Sequence, residues 1–309
     1  MMAAPLSIRF RTRYALRALA LGVAMTLGAT QLHAADSAKR DVIGFSRDGK
    51  YFAFEQYGVQ DGSGFPYSEI FVVEVAKDEW VRGTPARTLI RQDGAKLDQA
   101  RENSRDRIAP YLWRLNIGTK GSHVVSDQAE TADAAARFFA FTLPDNEDGP
   151  GLGTVRLRLI ENALPAANCE LTGEQTHGFT LVLESETGEP LRILEEDTEI
   201  PPSRGCPIHY GISDVVALQR AGAGPALVVL ISMYRLGFEG LDRRFLAIGA
   251  AFDEPPVAAA YAPGTTPTRE QVAPGTAPPK PPSEAPAAAS KGGSFGQIPS
   301  YLINRGSTR

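Results

Sequence analysis

Two stretches of the 309-residue chain gather side chains able to do chemistry. The first is Gly58–Glu69 (GVQDGSGFPYSE). Asp61, Ser63 and Glu69 offer oxygens of the kind that bind calcium, and the rings of Phe65 and Tyr67 can stack on a sugar. A calcium loop normally carries more carboxylates at alternating positions. Two other readings therefore stand beside calcium: contact with a ligand or partner, and a rigid hairpin tip whose aromatics fold back onto a sheet. The second stretch, Tyr234–Arg244 (YRLGFEGLDRR), packs five charges around turn glycines, with Phe238 at its tip. Glu239 and Asp242 could serve as acid and base, while Arg235 and Arg243 bind an anion. The same charges would also make a salt-bridged hairpin.

Other chemistry finds less support. His123 follows Ser122 and His177 follows Thr176, but neighbours in sequence rarely have triad geometry. His209 stands near Cys206 and Tyr210. No H-E-x-x-H pair or phosphate-binding glycine loop occurs. The two cysteines, Cys169 and Cys206, have no His or second Cys beside them at metal-ligand spacing. In an exported protein such a pair is expected to form a structural disulfide, and neither a metal nor a cofactor is expected.

The elements that must position these groups are mostly strands. Asp48-Gly49 lies between apolar runs and marks a hairpin turn, because Gly accepts positive φ and Asp can satisfy nearby amides. After it, aromatic Tyr51–Glu55 fits a strand and β-branched Ile70–Val75 is that strand's partner, which makes Gly58–Glu69 the tip of a long hairpin. Phe138–Leu143, Thr154–Ile160, Phe179–Leu183 and Leu191–Leu194 follow as strands. Val215–Gln219, Ala226–Tyr234 and Arg244–Phe252 complete a count of about nine. Ala226–Tyr234 (ALVVLISMY) is almost wholly apolar, which places it at the centre of its sheet. Gly94–Leu115 predicts the one amphipathic helix, with Leu97, Ala100, Ser104, Ile108, Tyr111 and Leu115 on one side. Pro110 should kink or split it near Ala109. The Ala-rich run Gln128–Ala136 predicts a further helical turn capped by Ser126 or Asp127.

The two ends are of different composition. Residues 1–34 carry Arg9, Arg11, Arg13 and Arg17, then the apolar run Ala18–Leu27, which is too short to span a bilayer. They predict a signal peptide cut after Ala34. Removing those four arginines leaves 28 basic against 36 acidic residues, about −8. Such a balance argues against a nucleic-acid partner and against adsorption to anionic lipid. No later stretch reaches transmembrane length. From Glu254 onward Pro, Ala, Gly and Thr dominate, too little apolar area to offset backbone ordering, so residues 254–309 are expected to form a disordered tail.

Phe45, Ser46, Asp48, Gly49, Lys50, Ala53 and Phe54 resemble a blade opening of the Tol–Pal and WD-repeat propellers. The likeness covers one copy, and a propeller needs several. The hairpin with DGSGFPYSEIFVVEV, the two cysteines, and Tyr234–Phe245 (YRLGFEGLDRRF) resemble an uncharacterised family of predicted secreted bacterial proteins, a domain of unknown function. That resemblance implies an exported single-domain protein and names no activity. The fold expected is mostly β. Antiparallel hairpins form one propeller-like or sandwich-like domain over residues 36–253, with one inserted helix. The function expected is a periplasmic or secreted binding module, its partner another envelope protein or a small ligand. The alternative is a periplasmic hydrolase using carboxylates or a histidine.

Overall fold

The alternation of apolar side chains sets which strands are covered on one face and which on both. In the computed structural model, which describes residues 35–253 apart from 168 and 170–172, fourteen strands and one α-helix are arranged in three antiparallel sheets. The first sheet holds β1 (Lys39–Ser46), β2 (Tyr51–Val59), β3 (Pro66–Glu74), β4 (Glu79–Trp80), β5 (Ala86–Leu89) and β6 (Ile117–Thr119). Its order is β4-β3-β2-β1-β6, and β5 also pairs with β3. A second sheet runs β11-β10-β9-β8, from β8 (Phe138–Leu143), β9 (Gly153–Ala163), β10 (His177–Ser185) and β11 (Pro190–Glu196). The third runs β14-β13-β12-β7, from β7 (Ser122–Ser126), β12 (Pro207–Arg220), β13 (Ala223–Leu236) and β14 (Leu241–Ala251).

This third sheet is the middle layer. On one face Leu227, Val229, Ile231 and Met233 of β13 pack against Leu157, Leu181 and Leu183 of the second sheet. On the other, Ala226, Val228 and Leu230 meet Phe45, Phe52, Phe54 and Phe71 of the first. Successive residues of a strand point to opposite faces, so a strand covered on both must be apolar throughout. Ala226–Tyr234 is central, as its composition predicts. The outer face of the first sheet is covered by α1 (Leu97–Arg114), whose Ile108 packs on Ala53, Ile70 and Val72. The layers are open sheets stacked face to face, with no closed barrel or propeller. The Phe45–Phe54 run is the β1–β2 hairpin of an outer layer. Its Asp48 carboxylate accepts bonds from Ser46 Oγ and Lys50 N, and Gly49 takes φ 71°.

The helix differs from expectation in one respect. Pro110 lies inside it without splitting it. Asp106 and Pro110 are both exposed, so the Asp106 carbonyl left without a donor can turn to water. A buried ion network fixes the helix to the sheet. Glu55, fully buried, accepts bonds from Arg101 Nε at 2.9 Å, Arg105 Nη2 at 3.0 Å and Ser68 Oγ at 3.0 Å. Burial alone would raise the Glu55 pKa, but these donors hold it below the usual carboxylate value. The Ala-rich run forms a turn and no helix. Asp127 bonds the amides of both Ala129 and Ala136, closing the segment into a loop that buries Ala132 and Ala135 against Tyr234.

Cys169 and Cys206 form a disulfide, with Cα atoms 5.6 Å apart. It ties the segment after β9 to the turn ahead of β12. The expected signal peptide and tail lie outside the described residues. Among the described residues, no helix is long and apolar enough to cross a membrane.

Candidate functional site

The β2–β3 tip and the β13–β14 turn come from opposite ends of the domain sequence, yet they meet. Asp61, Ser63, Arg235, Phe238 and Asp242 line one hollow of about 290 Å³, together with Asp36, Gln60 and Arg244. A Cβ on Gly62 would lie 3.8 Å from the Phe238 ring, so the two loops almost touch. Gln60, Arg235 and Arg244 also line a larger cleft of about 540 Å³, which continues from the hollow along β14.

The cleft exists because β14 is the free edge of the middle sheet. One wall comes from the first sheet: Phe71 on β3, Trp80 on β4, and Arg87 and Leu89 on β5. Trp80 packs on Phe71 with ring centroids 5.4 Å apart, and Arg87 lies over both rings. The opposite wall is Glu195 at the end of β11 and the Pro201–Arg204 segment. The disulfide anchors that segment two residues beyond Arg204.

Most charges here are matched. Arg87 Nε meets Glu69 Oε1 at 2.8 Å, and Gln56 Nε2 donates to Glu69 Oε2 at 2.6 Å. Arg204 donates to Asp197 Oδ2 at 2.6 Å. Arg244 donates to Asp36, which also accepts the Tyr67 hydroxyl at 2.8 Å. Burial, with Asp36 beside it, pushes the Tyr67 pKa far up, so the phenol stays protonated and donating.

Arg235 is the exception. Its nearest carboxylate oxygen, Asp242 Oδ2, is 3.9 Å away, too far for a hydrogen bond. Burial and the neighbouring Arg244 charge lower the Arg235 pKa. Burial also raises Asp242, whose Oδ1 is taken by the Asp36 amide at 3.2 Å. Arg235 therefore stands at the junction of hollow and cleft as a cation with no hydrogen-bonded carboxylate.

A second pair of ionisable groups lies at the far end. Asp78 Oδ1 accepts the Gly249 amide at 2.6 Å. Burial pushes the Asp78 pKa up to about 7, helped by Glu195, which is itself raised by burial and by Asp197.

Of the residues singled out in the sequence, Asp61, Arg235, Phe238 and Asp242 line the hollow, and Tyr67, Glu69 and Arg235 line the cleft. Phe65 and Glu239 line neither. Arg243 is buried and donates to the Ala129 and Ala38 carbonyls. Its neighbour Arg244, on the opposite face of β14, is the one that reaches the cleft. His177 and His209 stack on each other at 6.0 Å, and His123 lies on β7, all outside both cavities. Among the described residues, no three His, Cys, Asp or Glu side chains are placed to hold a metal. Asp78, Trp80, Arg87 and Arg204 are absent from the sequence reading, since each sits in a short strand or loop with no motif of its own, and Glu195 at the end of β11 has none either.

No curated protein and no solved structure matches the chain. A family described as predicted secreted protein (DUF2259) matches residues 53–250, and the chain belongs to that family. The disulfide is consistent with an exported protein.

Proposed function

We propose that this secreted protein is a periplasmic, non-enzymatic binding module that seats an anionic group of its ligand on Arg235. One observation carries the reading. Arg87, Arg204 and Arg244 each have a carboxylate within hydrogen-bonding distance, whereas Arg235, at the junction of the two cavities, has none closer than 3.9 Å. A half-buried guanidinium offers a planar fork of donors to a carboxylate, and no carboxylate of the described residues is hydrogen-bonded to it. The aromatic wall of Phe71 and Trp80 supplies apolar contact beside it.

The alternative, a hydrolase using carboxylates or a histidine, draws on one group, Asp78, whose carboxyl titrates near neutrality inside the cleft. Its Oδ1 is engaged by Gly249, and the three described histidines lie elsewhere. Binding is the simpler use of the cleft.

The test titrates the full secreted chain with N-acetylphenylalanine and with its amide, which lacks the charge. The carboxylate is expected to bind at least about tenfold more tightly than the amide, and Arg235→Gln to remove that difference, as one charge-assisted bond implies. Equal binding of acid and amide to the native chain would overturn the reading.

A further inference from the structure

Along the free edge of β14 from Arg243 to Ala251, every outward-facing residue but one has a hydrogen-bonded backbone group among the described residues. The strand's outward-facing backbone groups belong to alternate residues. Arg243 pairs with the 36–38 segment, the Phe245 amide donates to Gln56 Oε1 at 2.8 Å, the Gly249 amide donates to Asp78, and the Ala251 carbonyl accepts from Arg192. By the same alternation the amide and carbonyl of Ala247 also face outward. Among the described residues nothing bonds either, and Ala247 lines the cleft. An open donor–acceptor pair on a strand edge is a template for another strand.

The charges on either side give that template a direction. Arg235 and Arg244 lie toward the start of β14, and Asp78 and Glu195 toward its end. A strand pairing antiparallel to β14 would bring its C-terminus to the arginines and its N-terminus to the carboxylates. Phe245 and Gly249 are blocked by Gln56 and Asp78, so the open run is four residue steps, about 13 Å.

We propose that the cleft binds short peptides of about five residues with both ends free. The peptide pairs antiparallel with β14 and exchanges two main-chain hydrogen bonds with Ala247. Its terminal carboxylate lies on Arg235 and its terminal ammonium against Asp78 and Glu195. This rests on the Arg235 reading above and adds the class of ligand. The main-chain bonds and the two charges ignore side-chain identity, so sequence preference is broad and length preference narrow.

The experiment uses the full secreted chain and a free pentapeptide of alternating alanine and threonine. Hydrogen exchange at the Ala247 amide is expected to slow at least about tenfold on saturation. Acetylating the N-terminus or amidating the C-terminus should each weaken binding at least about tenfold, and N-methylating the third residue should abolish the protection. Ala247→Pro removes the donor at an edge position whose amide bonds nothing within the protein, where proline is tolerated. That variant is expected to fold and to lose the peptide while still binding N-acetylphenylalanine. If the pentapeptide leaves Ala247 exchange unchanged while N-acetylphenylalanine binds through Arg235, the peptide inference is overturned and the anion reading survives. If Ala247 is protected equally by free and amidated peptides, the anion reading fails and the strand pairing stands alone.

Discussion

At the scale of single residues, two carboxylates have opposite electrostatic characters. Glu55 is held ionised by arginines and a serine, whereas Asp78 is kept near neutral by burial and by Glu195. The Asp78 pKa lies at about 7 in the fold against 3.8 for a free side chain. Between these values the folded state binds more protons than the unfolded one, so stability falls as pH rises, at about 1.4 kcal/mol per pH unit in the steepest part. Asp78→Asn keeps an oxygen for the Gly249 amide and does not titrate. Its urea stability relative to the native chain is expected to rise from pH 4 to pH 7 and then level off. Parallel pH profiles for the two chains would show that Asp78 is solvated. Arginine roles were only half legible in the sequence. Arg243 and Arg244 are adjacent and chemically identical, and only the face each takes on β14 makes one structural and the other a cleft residue.

Elements were legible in proportion to their length and periodicity. The long hairpins, the apolar β13 and the amphipathic α1 follow from alternation and turn residues. β4, with two residues, and β5, with four, are too short for any period to show. These short pieces and their flanking loops nevertheless build one cleft wall, which is why Asp78, Trp80 and Arg87 were not recognisable as a group. Both candidate loops were visible as loops, but their meeting depends on how the sheets stack. The disulfide belongs to this scale, because it fixes the Pro201–Arg204 wall. Its partners are 37 residues apart, and closing that loop contributes roughly 4 kcal/mol in the chain-entropy description. The double variant Cys169→Ser/Cys206→Ser is expected to lose about that much in urea denaturation and to bind N-acetylphenylalanine more weakly. An unchanged midpoint and affinity would show that the wall is held by other contacts.

Across the whole molecule, the two larger cores share the middle sheet. Leu227, Val229 and Ile231 complete one, and Val228 and Leu230 the other. A chain ending at Cys206 lacks β12, β13 and β14, and so leaves the inner faces of both outer sheets bare. It is expected to be protease-sensitive and to lack the near-ultraviolet circular dichroism of packed aromatics, since Phe45, Phe52 and Phe179 lose the middle-sheet side chains that pack on them. A protease-resistant fragment with native aromatic signals would show that one outer layer stands alone. The middle layer also sets a timetable. Three of its four strands are the last described elements of the sequence, while both outer layers precede them. A polypeptide threaded across a membrane from its N-terminus presents the outer layers first, with nothing to close on. Compaction then waits for residues 207–251, so the segments already across stay loose until the far end of the domain has followed. The order of strands thus ties the closing of both cores to the last strands of the domain.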